Sequence, residues 1–224
     1  MIALVAILGA ALGFLALVGA LALAHGDTRR SLQLVLARRI PPLAPDVVVA
    51  GDSLAACCPF RTLRRRPFGV LSLARGGATL KEIAGQVGQA RDFSPRWLVL
   101  DGGLNDLLVD SATPDRIAED FEALLRRRPE GAQAIFTLAP LTSNAADAPR
   151  IRAANERLRA LCLASGICVV DLNPLVASGD ARLPEMTDDG LHFSPAANAI
   201  WVDAVARIVA GAAPQVLAMK NKRG

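Results

Sequence analysis

The sequence predicts an α/β domain with a central parallel sheet of about five strands and helices on both faces, preceded by an N-terminal transmembrane helix. Three observations predict it. Strand-like and helix-like runs alternate from residue 46 onward, and that alternation builds parallel sheets with crossover helices. The strand-like runs are continuously apolar rather than apolar at every second position, the pattern of strands covered on both faces. Residues 1–24 carry no charged side chain.

That uncharged run, taken as a helix, reaches roughly 36 Å, enough to cross a hydrocarbon core of about 30 Å. Ala22-Leu23-Ala24 has the small-x-small pattern of a signal-peptidase site. Against cleavage, the run is longer than a usual signal core and no Lys or Arg precedes it. Residues 2–24 are therefore expected to be an uncleaved anchor. Arg29, Arg30, Arg38 and Arg39 follow the span, which by the charge rule favours a cytoplasmic domain. Residues 25–45 form a linker, basic first and then Pro-rich at "IPPLAP".

From there the elements follow in order. Strands are expected at "DVVVAG", "FGVLSLA", "RWLVLDGG", "AQAIFTLAP" and "GICVVDL", each short, rich in branched residues and bounded by turn residues. Between them, "TLKEIAGQVGQAR" has Thr79 and Glu82 at capping-box spacing. "TPDRIAEDFEALLRRR" offers Thr113 as N-cap, Pro114 in the first turn, acid early and Arg late, an order that suits the helix dipole. "DAPRIRAANERLRALCLASG" runs to a Gly stop, and "SPAANAIWVDAVARIVAG" opens on Ser194-Pro195 and closes at Gly211. One domain, 46–213, accounts for these elements, and 214–224 is left as a basic tail.

Composition excludes several classes. Hydrophobic residues make up 52% of the chain and charged ones 21%, and the net charge is only +4. The two dense basic runs, Arg64–Arg66 and Arg126–Arg128, read as solvated loop and helix-end charge. There is no Tyr, and without aromatic platforms nucleic-acid binding is not expected. Cys57, Cys58, Cys162 and Cys168 form no C-x-x-C pair, and no His lies at zinc-finger spacing, so neither metal nor cofactor is expected. Cys57 and Cys58 are adjacent and do not easily bridge each other. A disulfide from either to Cys162 or Cys168, and buried free thiols, both stay open.

In a parallel sheet of this kind the functional crevice lies outside the carboxyl ends of the strands. The first strand is followed by Gly51-Asp52-Ser53-Leu54 and the second by Arg75-Gly76-Gly77-Ala78-Thr79. Gly102-Gly103-Leu104-Asn105-Asp106 follows the third, and Thr187-Asp188-Asp189-Gly190-Leu191-His192 precedes the last helix. Each alone has an ordinary explanation as turn, helix entry, cap or structural His. Together they supply what acyl transfer through a serine needs. A serine hydroxyl is a weak nucleophile until a base takes its proton, and His does this near neutral pH. The chain has two histidines, and His25 abuts the apolar run, so in a serine hydrolase the base would be His192. A carboxylate must orient the imidazole, and Asp189 lies three residues before it. The Ser53 N–H, the Gly77 N–H and the Asn105 carboxamide are candidate oxyanion donors. Asp52 is placed to bond local backbone and hold the turn.

These blocks resemble those of the SGNH hydrolases, also called GDSL esterases/lipases, from Val47 to about Gly211. "GDSL" at 51–54 is similar to the nucleophile block and "GGAT" at 76–79 to the glycine block, with Gly77 the better match. "GLND" at 103–106 is similar to the Gly-x-Asn-Asp block and "DGLH" at 189–192 to the Asp-x-x-His block. Cys57-Cys58-Pro59 departs from the family, which commonly has a small residue there. The resemblance implies a three-layer, flavodoxin-like α/β/α sandwich, a Ser53–Asp189–His192 triad and an oxyanion hole from Ser53, Gly77 and Asn105.

The function expected is a membrane-anchored serine esterase acting on O-acyl groups, with short acyl esters on carbohydrate, as in polysaccharide deacetylation, preferred from the family. The alternatives are an acyltransferase, a lysophospholipase, and a non-catalytic glycan-binding subunit of a membrane complex. Surface-polymer chemistry places the domain outside the cytoplasm, in the periplasm, against the direction of the flanking arginines.

Overall fold

The computed structural model describes residues 34–35, 44–64, 69–211 and, as backbone, 216–218. The expected span at 2–24 and most of the linker lie outside these residues. No helix among the described residues is long and apolar enough to cross a membrane.

The chain runs β1 (Val47–Ala50), α1 (Ser53–Cys57), β2 (Val70–Ser72), α2 (Leu80–Ala90), β3 (Trp97–Leu100), α3 (Leu104–Leu108) and α4 (Pro114–Leu125). It continues through β4 (Gln133–Thr137), α5 (Ala148–Ala164), β5 (Cys168–Asp171), α6 (Asn173–Val176), a small hairpin of β6 (Ala177–Ser178) and β7 (Ala181–Arg182), α7 (Pro195–Val209) and β8 (Val216–Ala218). The main sheet has the order β2-β1-β3-β4-β5-β8 with every pairing parallel. All five expected strands are present. A sixth, β8, lies in the segment assigned to the basic tail. It pairs its backbone with β5 from Val169↔Val216 to Asp171↔Ala218, so β5 is not left as an open edge of unpaired N–H and C=O groups.

Packing explains the continuous apolar runs. Val47, Val48, Val49 and Ala50 are each fully buried, because both faces of β1 are covered. Successive side chains of a strand point to opposite faces, and β4 shows what lies on each. Phe136 meets Phe121 of α4 at 4.5 Å between ring centroids. The next residue, Thr137, accepts a 2.8 Å hydrogen bond from the Trp201 indole N–H of α7. α4 and α7 thus flank the sheet on opposite sides, giving three layers. On the α7 side, Trp201 stacks edge-on with Phe60 at 4.9 Å and Phe193 at 5.6 Å, pairs worth about 0.5–1.5 kcal/mol each beyond area burial.

The caps appear where the sequence places them. Thr79 and Glu82 form a reciprocal capping box on α2, Thr113 accepts from the Arg116 N–H at the start of α4, and Ser194 accepts from the Ala197 N–H at the start of α7. The strands end level, with Ala50 opposite Leu100 and Leu100 opposite Phe136. The loops after β1, β3 and β4 therefore emerge side by side.

Candidate active site

Ser53 is the first residue of α1, directly after β1 and Asp52. The Asp52 carboxylate accepts from the Leu54 N–H at 2.8 Å, capping the short helix as its sequence position suggested. As the first helical residue, Ser53 has a backbone N–H with no intrahelical acceptor. His192 lies just before α7, on a loop closed by a bridge between Thr187 and Phe193.

The structure brings the separated residues together. His192 Nε2 lies 3.0 Å from Ser53 Oγ, and His192 Nδ1 lies 2.6 Å from Asp189 Oδ2. The other Asp189 oxygen accepts from the backbone N–H groups of Leu191 at 2.9 Å and His192 at 2.7 Å. The His192 side chain first, then these two N–H groups, hold the Asp189 carboxyl well below the usual carboxylate range. Asp188, its neighbour, is exposed.

Asn105 sits in α3, at the carboxyl end of β3. Its amide donates to Ala78 O at 3.1 Å and, more weakly, to Asp52 Oδ2 at 3.4 Å. The glycine block is thereby held against the nucleophile block. Gly77 has φ +72°, a left-handed conformation that L side chains rarely adopt, and its turn follows the Arg75 N–H bond to Gly51 O at 3.1 Å. All four motif blocks thus converge on one edge of the sheet through hydrogen bonds between them.

Several residues that serve this site carry no role in the sequence reading. Asp101, the residue after β3, is buried and accepts from the Asp52 N–H at 3.3 Å. A Cβ on Gly51 would fall 1.6 Å from its Oδ1, so any side chain at position 51 would have to displace the buried Asp101 carboxyl. Burial, then the adjacent Asp52 charge, pushes the Asp101 carboxyl well up, and burial also raises Asp52. Gln86 of α2 clasps Gly51, accepting from its N–H at 2.8 Å and donating to its carbonyl at 3.1 Å. Its signal was a polar residue in the apolar stripe Leu80, Ile83, Val87, Ala90. Asp106 accepts the first N–H of α2, from Leu80, at 3.1 Å. Burial raises its carboxyl to about 6.

Beside the glycine block, an open cleft of about 340 Å³ is lined by Arg75, Gly76, Glu82, Gln86 and Gln89. Among the described residues, no cluster of three or more His, Cys, Asp or Glu side chains could hold a metal ion. All four cysteines are free thiols, and burial pushes the Cys162 thiol up to about 12.

The model of the GDSL-like lipase/acylhydrolase family matches residues 49–200. No curated protein sequence matches the chain. Among solved structures, the chain is similar to a lipase/acylhydrolase from Enterococcus faecalis, at 20% identity and TM-score 0.64, covering 75% of this chain and 96% of that one. It is similar to a carbohydrate esterase of family 3 from Talaromyces cellulolyticus, at 14% identity and TM-score 0.61, covering 75% and 97%. A third likeness is to the catalytic domain of a peptidoglycan O-acetyltransferase from Streptococcus pneumoniae, at 20% identity and TM-score 0.59, covering 75% and 94%. At these identities the likenesses establish the shared fold.

Proposed function

Because the chain belongs to the GDSL-like lipase/acylhydrolase family, and is by that membership an ester hydrolase, we propose that it is a serine esterase in which Ser53, His192 and Asp189 form the catalytic triad. The observation that carries this reading is the bridge made by one imidazole, 3.0 Å from the serine hydroxyl on one side and 2.6 Å from a carboxylate on the other.

The chemistry follows from that bridge. Asp189 accepts a hydrogen bond from Nδ1–H, which fixes the tautomer with Nε2 bare toward Ser53. As Ser53 Oγ attacks the ester carbonyl, its proton passes to Nε2. The resulting imidazolium faces the Asp189 carboxylate, and the carbonyl oxygen becomes an oxyanion. The N–H groups of Ser53 and Gly77 and the Asn105 amide are its donors. The long 3.4 Å contact of Asn105 to Asp52 is the one that gives way. Collapse expels the alcohol, which takes the proton from Nε2. Water then attacks the acyl-enzyme with His192 as base, and as the carboxylic acid leaves, the proton passes from Nε2 back to Ser53 Oγ.

The substrate in this proposal is a short acyl ester on carbohydrate. Two of the similar folds are named for glycan chemistry, which supports this choice. Acyl transfer to a sugar differs only in that an acceptor hydroxyl takes the place of water. Residues 2–24 anchor the enzyme, with the domain outside the cytoplasm where surface polymers lie. In the test, Ser53→Ala abolishes hydrolysis of p-nitrophenyl acetate, and a fluorophosphonate labels the parent protein but not the variant. A variant keeping more than about a tenth of the activity rules Ser53 out, because triad losses run to orders of magnitude.

A further inference from the structure

The loop that carries Asp189 and His192 is held to the rest of the molecule by a residue the motifs do not contain. Arg182, in β7, is 3% exposed. Its Nε donates to Leu141 O at 2.7 Å, in the connection between β4 and α5. Its Nη1 donates to Leu191 O, the carbonyl immediately before His192. The guanidinium carbon lies 4.7 Å from the centroid of the Phe193 ring, the residue immediately after His192. The Arg182 backbone N–H also bonds Thr142 O at 2.8 Å. One planar cation therefore grips both neighbours of His192 in sequence and ties them to the segment that leaves β4.

The bonds inside the loop act differently. Thr187 Oγ1 donates to His192 O and accepts from the Gly190 N–H, and Asp189 Oδ1 accepts from two backbone N–H groups. These set the loop's own shape without fixing where it stands relative to Ser53. That placement needs ties to other segments, which Arg182 supplies together with the Ser143 N–H bond to Gly190 O at 2.9 Å and the Phe193 ring packed on Trp201 at 5.6 Å. Stability alone is a poor account of Arg182. Burying a guanidinium is costly, and its Nη2 is buried without a protein partner among the described residues.

We propose that Arg182 is a positioning residue for this esterase, its guanidinium setting the distance from His192 Nε2 to Ser53 Oγ by bridging Leu191 O to Leu141 O. The inference rests on the triad reading given above. Lysine keeps the charge but places a single nitrogen where two in-plane donors are needed, so it cannot hold both carbonyls in the same geometry. A shift of about 1 Å in a reacting group costs about 100-fold in rate. Substrate binding away from the loop is untouched.

The test compares Arg182→Lys, Arg182→Gln and Arg182→Met, the last removing the buried charge while keeping length and apolar volume. Hydrolysis of p-nitrophenyl acetate is measured per active site, counted by fluorophosphonate titration so that unfolded molecules drop out. The expected result is a kcat lowered about tenfold or more in all three, with KM within about twofold. The downfield His192 Nδ1–H proton resonance, assigned with His192→Ala, should shift or broaden in the same variants. A kcat per active site within twofold of the parent, with an unmoved resonance, overturns the proposal. So does failure of all three variants to fold, which would make Arg182 an architectural residue. A parent enzyme that fluorophosphonate does not label would instead sink the triad reading, and the resonance would still report on the loop.

Discussion

Replacing Asp189 by asparagine separates the geometry of the triad from its charge. The Oδ1 of the introduced amide can still accept from the Leu191 and His192 N–H groups, which stand 2.9 and 2.7 Å from Asp189 Oδ1, so the loop keeps its shape. The change falls on the other atom. An amide nitrogen replaces the oxygen 2.6 Å from His192 Nδ1, and an N–H cannot face an N–H. The ring must present a bare Nδ1 to the amide, which puts the proton on Nε2, 3.0 Å from Ser53 Oγ. A protonated Nε2 cannot accept the serine proton. Because the Asp189 side chain is 53% exposed, water screens its charge, and the tautomer decides the outcome. A wrong-tautomer triad loses about 10⁴-fold in kcat, or about 5.4 kcal/mol of barrier. Asp188→Asn is the paired control, since it is Asp189 and not Asp188 that faces His192 Nδ1, and it should change kcat by no more than about twofold. The assay is p-nitrophenyl acetate hydrolysis with a thermal melt of each variant. An Asp189→Asn loss below about tenfold with the fold intact would leave a Ser53–His192 dyad and refute the reasoning. An equal or larger loss in Asp188→Asn would reassign the carboxylate.

Asn105→Ala should lower kcat about 100-fold or more with little change in KM, because the oxyanion exists only near the transition state; a pure KM effect in steady-state kinetics would make Asn105 a substrate-binding residue. Asp106 gives a pH test. Its folded carboxyl is raised to about 6, so its contribution is present in full below the ordinary carboxylate range and is lost as pH rises through about 6. A rise of that size corresponds to at most about 3 kcal/mol. In urea melts Asp106→Asn should therefore gain stability relative to the parent by up to that amount between pH 4 and pH 7, and a flat difference would contradict the assignment. If residues 2–24 span the bilayer uncleaved, the full chain should fractionate with membranes and resist carbonate extraction, while a chain beginning at Pro41 should be soluble and hydrolyse a small ester. A mature N-terminus at His25 would mean a cleaved signal, and a folded but inactive short chain would mean the N-terminal segment helps build the site.

The sequence by itself determined the periodic and the local. Five strands were legible because a strand covered on both faces leaves an unbroken apolar run, as at Val47–Val49. The starts of α2, α4 and α7 were legible because capping is settled within one helical turn, by Thr79 with Glu82, by Thr113 and by Ser194. The positions of Ser53, Asn105, Asp189 and His192 were legible because a parallel sheet delivers its loops to one edge. Tertiary structure decided the rest, where the partner is distant in sequence. Gly51 has no room for a side chain chiefly because the Asp101 carboxyl, fifty residues along the chain, packs against it, and Gln86, also distant, holds its backbone. Asp106 is a helix cap across a gap of 26 residues. The edge strand β8 is recognisable only by its parallel pairing with β5, and three residues next to a basic tail carry no signal of it. Arg182 looks, in sequence, like any loop arginine. Folding buries it between the carbonyls of Leu141 and Leu191, and that placement follows from the chain's path in space, which no local pattern encodes.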